Sequence, residues 1–308
     1  MNTWGSIGAA LAAACSFAVA AVLQQEAARR MPREYSGRIT LLARLLRQPA
    51  WLAGVAAMLL GYGLQAVALA LGPVALVQPI VATELAFAIP VGMARVHRSP
   101  GVREWVGIAS VLGGVSFFLL AASPAAGSAN PSVAVWVDVL APTTVIVLAI
   151  LVAARRSDGP ARPVLLASAA GLCFGVVAVL TKSTIYYFGE GASVALTRWE
   201  PYGLVAVGVI ALVCSQSAYQ SGPLAYSMPM VAVLEPASAV VIGATALEEA
   251  LHVSQASLAV SMSGALLAVV GIVLLARSPL VHGMFVGQEQ EARVADGDEP
   301  SGTGGARG

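Results

Sequence analysis

The sequence is a succession of apolar runs of roughly 20 residues, and this feature limits the possible folds more than any other. A helix of that length covers the roughly 30 Å hydrocarbon core of a bilayer. In lipid, only helices and closed barrels satisfy every backbone hydrogen bond, and runs of Ala, Leu, Val and Gly favour helices. The nine runs that we count lie at about 4–23, 51–71, 73–94, 105–123, 134–153, 163–187, 201–220, 223–247 and 256–276. We therefore predict an all-α polytopic membrane protein.

The composition also indicates a membrane protein. Hydrophobic residues make up 58% of the 308 residues and charged residues only 11%, whereas soluble domains carry about 25% charged residues. There are too few polar side chains to cover a water-facing surface, so the lipid bilayer is the expected surrounding. The net charge of +1 offers no electrostatic footprint for nucleic acid. All three cysteines lie inside apolar runs, which argues against a disulfide framework or a zinc site.

Arginine is unevenly distributed between the loops, and this predicts the orientation of the chain. Cytoplasmic loops of membrane proteins are enriched in Lys and Arg. The loops after the first, third and fifth runs are basic, whereas those after the second and fourth are nearly bare of charge. The arginines of the basic loops are Arg29, Arg30, Arg33, Arg38, Arg44, Arg47, Arg95, Arg98, Arg103, Arg155, Arg156 and Arg162. We predict a multi-pass protein of the cell membrane, with its N-terminus outside and its C-terminus in the cytoplasm.

The chain also resembles itself. Phe17–Leu23 matches Phe174–Leu180, and Gly72–Pro79 matches Gly222–Pro229, at separations of 157 and 150 residues. These matches predict four units: a first transmembrane repeat (1–123) with an interfacial amphipathic helix at about 36–48, a linker helix (124–162), a second repeat (163–276), and a disordered cytoplasmic tail (277–308). Chance similarity between Ala- and Val-rich helices is the alternative explanation.

The two predicted repeats have opposite orientations in the membrane, because an odd number of spans, five, separates equivalent helices. Inverted repeats are typical of secondary transporters, in which one half moves against the other around a site near the bilayer midplane.

Two glutamates occupy nearly equivalent midplane positions in these repeats. Glu84 and Glu235 each follow a proline, Pro79 and Pro229, and Glu235 directly precedes Pro236. A charge at the bilayer centre costs about 2.5–3.5 kcal/mol even on the most lenient scale, while a proline leaves a helix carbonyl free. Paired carboxylates beside free carbonyls can bind a cation or exchange protons. The alternative is that each glutamate is protonated and hydrogen-bonded to a neighbouring helix.

Four further polar residues complete the predicted substrate site: Gln65, Gln78, Lys182 and Gln216. Hydrogen bonding between helices is the alternative role for the glutamines, and Lys182 could instead extend its amine to the membrane surface. No catalytic constellation is visible. We therefore expect neither an enzyme nor a bound cofactor, and a metal ion, if any, would be substrate held at Glu84 and Glu235.

Several stretches of the sequence form a recognisable pattern: Trp51–Gly54, Met58, Gly61, Gly72–Pro79, Lys182, Ser215–Gln216, Leu234–Gly243, Leu247–Glu248 and Gly264–Leu275. These stretches are similar to the drug/metabolite transporter superfamily. The second half resembles EamA-type members, and the overall layout is closest to the NIPA-type magnesium transporters. The position of Glu84 is not usually acidic in the NIPA branch, so magnesium specificity does not simply transfer.

The resemblance implies a secondary-type transporter that moves a small solute or a metal ion by alternating access. A Mg²⁺ transporter of NIPA type and a non-transporting membrane scaffold are the alternatives. The expected partners are a small-molecule or cation substrate and the lipid bilayer, and a homodimer is compatible with the sequence.

Overall fold

The structure is a computed structural model that describes residues 3–71, 77, 80–81, 83–94, 97–122, 131–246 and 255–280. Within these residues the chain forms eleven α-helices, a 3₁₀ turn at Arg33–Tyr35 and no β-strand. The helices are α1 (Thr3–Arg29), α2 (Ile39–Leu45), α3 (Pro49–Leu71), α4 (Glu84–Ala94), α5 (Val102–Ala122), α6 (Val133–Arg156), α7 (Ala161–Glu190), α8 (Ala192–Leu196), α9 (Glu200–Ser221), α10 (Leu224–Ala246) and α11 (Gln255–Ala276).

Six helical segments in the described part of the chain are long and apolar enough to cross a membrane, and they belong to α1, α6, α7, α9, α10 and α11. The helix α4 is apolar but shorter, and α3 and α5 contain 23 and 21 residues. The all-helical, membrane-embedded character predicted from the sequence is thus confirmed. The count of nine spans and the orientation of the termini stay predictions.

Several helices extend beyond the apolar runs. The helix α1 continues to Arg29, past the predicted end at 23, because its polar last turns consist of good helix formers and Glu26 pairs with Arg30 one turn later. The helix α7 has 30 residues, which at 1.5 Å per residue is about 45 Å. It is therefore longer than a bilayer core, and its ends extend into the interfacial regions.

The helices pack in corresponding pairs in the two halves of the chain. In the first half, α1 packs along α3 and also contacts α4. In the second half, α7 packs in the same way along α9 and α10. The last helices of the two halves, α5 and α11, pack against each other. Two copies of one four-helix unit would produce these pairs, and the repeat itself stays a prediction.

The contact between α5 and α11 is made by glycines. A Cβ on Gly114 would lie 2.4 Å from the Ala268 nitrogen and 2.5 Å from the Gly264 oxygen, so the two backbones touch. A Cβ on Gly271 would likewise lie 2.6 Å from the Gly107 oxygen. Gly107 and Gly114 precede Gly264 and Gly271 by the same 157 residues as Phe17 precedes Phe174. Equivalent residues therefore exchange contacts, as a local two-fold axis requires.

The short helix α2 lies within the predicted interfacial segment at about 36–48. Leu41 and Leu45 are fully buried and pack against α1, α3 and α9. Ile39 faces outward, and the Arg44 guanidinium lies 4.0 Å from the centre of the Tyr35 ring. The amphipathic pattern thus reflects packing on protein as well as contact with the membrane surface.

Candidate functional site

Glu84 of α4 and Glu235 of α10, the two glutamates predicted at the midplane, are half-buried and close enough to interact electrostatically. Gly92, eight residues after Glu84, lies against Leu224, eleven residues before Glu235. The two observations together indicate that α4 and α10 run antiparallel. Since α4 and α10 are the third helices of the two predicted repeats, each repeat contributes one carboxyl group to the same place.

The backbone around Glu235 is held tightly by α7. A Cβ on Gly175 would lie 2.9 Å from the Glu235 oxygen and 1.9 Å from the Ser238 hydroxyl. A Cβ on Gly171, one turn earlier, would lie 2.9 Å from Leu234 Cβ. These two glycines let α10 pack directly on the α7 backbone, which fixes the backbone from which the Glu235 side chain extends.

Two tyrosines complete the cluster, and neither was among the predicted site residues. Tyr62 of α3 and Tyr219 of α9 interact electrostatically with both glutamates. Tyr219 is half-buried, whereas Tyr62 is 53% exposed and borders the cluster from the outer surface of the bundle. Each phenol brings a hydroxyl that can donate a hydrogen bond to a carboxylate or accept one from a substrate. A tyrosine inside an apolar run is a weak signal in sequence, because its ring fits lipid and protein equally well. Tyr62, for example, also packs edge-on against Phe17 at 5.0 Å between ring centres.

Prolines place free carbonyl oxygens near the same cluster. Pro236 inside α10 cannot donate to the carbonyl of Ala232, and Pro90 inside α4 cannot donate to that of Ala86. Ala86 and Ala232 pack on one apolar cluster, which also contains residues of α1 and α5. Two carboxyl groups, two phenols and two free carbonyls therefore lie in one region of the bundle.

Gln216 makes the hydrogen bonds between helices that were the alternative to a substrate role. It is fully buried, donates to Gln24 Oε1 at 2.7 Å and accepts from Trp51 Nε1 at 3.1 Å. Gln25 and Gln220 make further bonds, to the Gly222 oxygen at 2.9 Å and to the Met31 oxygen at 2.8 Å. These bonds fasten the end of α1 to the end of α9, so the two helix ends lie on one side of the membrane.

The remaining predicted residues fall in three different situations. Gln65 lies one turn beyond Tyr62 on the same side of α3, and it makes no side-chain hydrogen bond to any described residue. It lies fourteen residues, or about 21 Å of helix rise, beyond Trp51, the partner of Gln216. Gln78 lies outside the described residues. Lys182 lies in the last third of α7, and the structure describes its backbone but not its side chain.

We expect Gln216→Leu to lower the free energy of unfolding by about 1–2 kcal/mol, because Trp51 and Gln24 then lose buried partners. Gln65→Leu should leave the free energy of unfolding unchanged, because the Gln65 side chain makes no hydrogen bond to a described residue. Unfolding in a denaturing detergent titration measures both effects. Equal stability of the two variants would show that the hydrogen bonds of Gln216 do not stabilise the bundle.

The arrangement suits a species that needs several oxygen ligands or a proton acceptor. Two like carboxyl groups in a poorly solvated region repel each other when both are charged, which favours a bound cation or proton. No group of three His, Cys, Asp or Glu side chains occurs among the described residues. Any metal ion here would therefore be completed by carbonyls and water.

Fold and site together define the class: an α-helical membrane protein with a cluster of ionisable and polar groups between its helices. No family model matches the chain, and no solved structure matches it. The chain is similar to an uncharacterized protein of Corynebacterium glutamicum, with 28% identity over 249 residues that cover 79% of this chain and 85% of the relative.

Proposed function

We propose that the protein is a secondary-type membrane transporter that moves a small solute or a metal ion by alternating access. The observation that carries this proposal is the electrostatic interaction between Glu84 and Glu235. The two glutamates lie on α4 and α10, the third helix of each half. A carboxyl group at the bilayer centre is costly, and two of them side by side are costlier. A substrate cation or a proton that neutralises them supplies the reason for their presence.

The packing of the halves supports the same mechanism. In alternating access, one repeat rocks against the other around a fixed site. The reciprocal glycine contact between α5 and α11 joins the two halves closely, backbone to backbone, and such a contact could serve as an axis for this motion. The resemblance of the sequence to the drug/metabolite transporter superfamily is in line with this proposal.

Within this function, Mg²⁺ is the alternative to an organic solute. Mg²⁺ prefers oxygen ligands and keeps several of its waters, and two carboxylates with the carbonyls of Ala86 and Ala232 meet that need. A lysine close to the site would oppose a divalent cation and would favour an anionic or zwitterionic solute.

Flux into proteoliposomes tests the proposal. The purified full chain is reconstituted, and uptake is followed for Mg²⁺ with an enclosed indicator dye and for radiolabelled amines, amino acids and nucleotide sugars. Saturable uptake of at least one probe above protein-free liposomes is the expected result. Absence of uptake for every probe, together with a thermal midpoint that none of them shifts, would contradict the proposal and favour the scaffold alternative.

A further inference from the structure

A cleft of about 280 Å³ lies away from the glutamates, where the end of α6 and the start of α7 meet α9 and the segment before α2. Its described lining consists of Ser36, Gly37, Ile39, Leu151, Ala154, Arg155, Arg162, Leu166, Val209, Ile210, Val213 and Cys214. The cleft has a basic end and an apolar wall, and the two are contributed by different helices.

The basic end contains Arg155, from the last turn of α6, and Arg162, from the first turn of α7. None of the described lining residues is acidic. Neither arginine forms an ion pair or a side-chain hydrogen bond with any described residue. Asp158, in the loop between the two arginines, is exposed, does not line the cleft and pairs with neither of them. Two guanidinium groups that share one cleft with no ion-pair partner among the described residues form a site for an anion, and the planar guanidinium binds phosphate through two parallel hydrogen bonds.

A hydroxyl group is held beside the arginines. The Ser36 Oγ atom is buried and has no hydrogen-bond partner among the described residues. Its neighbour Gly37 is anchored, because the Gly37 nitrogen donates to Ser217 Oγ of α9 at 2.8 Å. Ser36 and Gly37 therefore form a fixed part of the cleft wall at its polar end.

The apolar wall begins directly below these groups. Leu151 of α6 and Leu166 of α7 form one side, and Val209, Ile210 and Val213 of α9 form the other. Val209 and Ile210 are 37% and 45% exposed, so this wall opens toward the surrounding lipid. A free phosphate or a nucleotide would leave the wall unused, whereas an acyl chain would cover it.

We propose that this cleft binds an anionic phospholipid, with its phosphate on Arg155 and Arg162 and the upper part of one acyl chain along α9. The position suits a lipid, because both arginines lie at helix ends, at the level of the headgroups, on the side that the arginine-rich loops predict to be cytoplasmic. Basic pockets between transmembrane helices on that side are suited to anionic headgroups. The bound lipid would tie α6 to α7 and α9, and so stabilise the junction between the two halves.

The test compares lipids on the purified full chain in a neutral detergent. Thermal unfolding is measured with added phosphatidylglycerol, phosphatidylcholine or glycerol 3-phosphate, and bound lipid is counted by native mass spectrometry. Only phosphatidylglycerol should raise the midpoint of the wild type and remain bound. The double variant Arg155→Gln with Arg162→Gln should bind it at least tenfold more weakly.

Two further variants make the result specific. Arg156→Gln removes an adjacent exposed arginine that does not line the cleft, and it should bind phosphatidylglycerol as the wild type does. Ile210→Trp keeps both charges but fills the apolar wall, and it should lose binding. Equal stabilisation by phosphatidylcholine, full stabilisation by glycerol 3-phosphate alone, or unchanged binding in Ile210→Trp would overturn the proposal. The Ile210→Trp variant decides the question even if the double arginine variant does not fold.

Discussion

The double variant Glu84→Gln with Glu235→Gln should reduce substrate uptake to the level of protein-free liposomes and leave insertion and folding intact. Glutamine has nearly the same shape as glutamate, but it can neither carry charge nor exchange a proton. If the two carboxyl groups bind the cation or proton, nothing replaces them, because the described residues offer no other acidic group at this place. Uptake by proteoliposomes with matched protein content measures the effect.

The matched control is Glu190→Gln at the end of α7. This glutamate is exposed and accepts a hydrogen bond from the Tyr186 hydroxyl at 2.8 Å, so it resembles the site residues chemically but lies outside the cluster. Transport by this variant should equal that of the wild type. Undiminished uptake by the double variant would show that the paired glutamates have a structural role only.

Gly114→Ala should strongly destabilise the protein although it adds a single methyl group. The new Cβ would lie 2.4 Å from the Ala268 nitrogen and 2.8 Å from its Cα. These are backbone atoms, so no side chain can rotate away, and the helices α5 and α11 would have to separate. Overpacking costs about 1–3 kcal/mol, and more where the surroundings cannot adjust. We expect a loss at or above the upper end of that range, measured by unfolding in a denaturing detergent titration.

The neighbouring Gly113→Ala is the control for this prediction. Its Cβ would meet only Leu267 Cδ2, at an ordinary 3.5 Å. Alanine also favours a helix over glycine by up to about 1 kcal/mol, so this variant should be as stable as the wild type or more stable. If the Gly113 and Gly114 variants were equally stable, the close contact between α5 and α11 would be excluded.

Much of the architecture could be predicted from local features. The apolar runs predicted helices at the positions where α1, α3, α5, α6, α7 and α9 to α11 lie, because a helix must be apolar wherever lipid surrounds it. The predicted ends were less accurate. The end of α1 is polar, so hydropathy placed its boundary too early, although Gln, Glu, Ala and Arg there favour a helix that continues to Arg29.

Only part of the candidate site could be predicted from the sequence. Glu84 and Glu235 could be identified because the cost of a charge in the bilayer makes each of them conspicuous on its own. Tyr62 gives no such signal, since a phenol is tolerated in many places in a membrane helix. Gln216 and Gln65 could not be distinguished in sequence, because each is a glutamine inside an apolar run. In the structure, Gln216 forms hydrogen bonds with Gln24 and Trp51. The partner of a buried amide is a property of the packed bundle.

The sequence by itself therefore determined which segments are helical, that they lie in a membrane, and which buried charges need an explanation. These properties follow from the free energy of transferring single residues or single helices into lipid. Each of them can therefore be predicted from a short stretch of sequence. Only the tertiary structure decided which helices pack together, and with them the electrostatic interaction between the glutamates and the position of the cleft beside Arg155. Lipid chains are as apolar as leucine, so hydropathy does not distinguish a helix partner from lipid. The choice depends on close contacts such as that of Gly114 with Gly264, which exist only once the helices have come together.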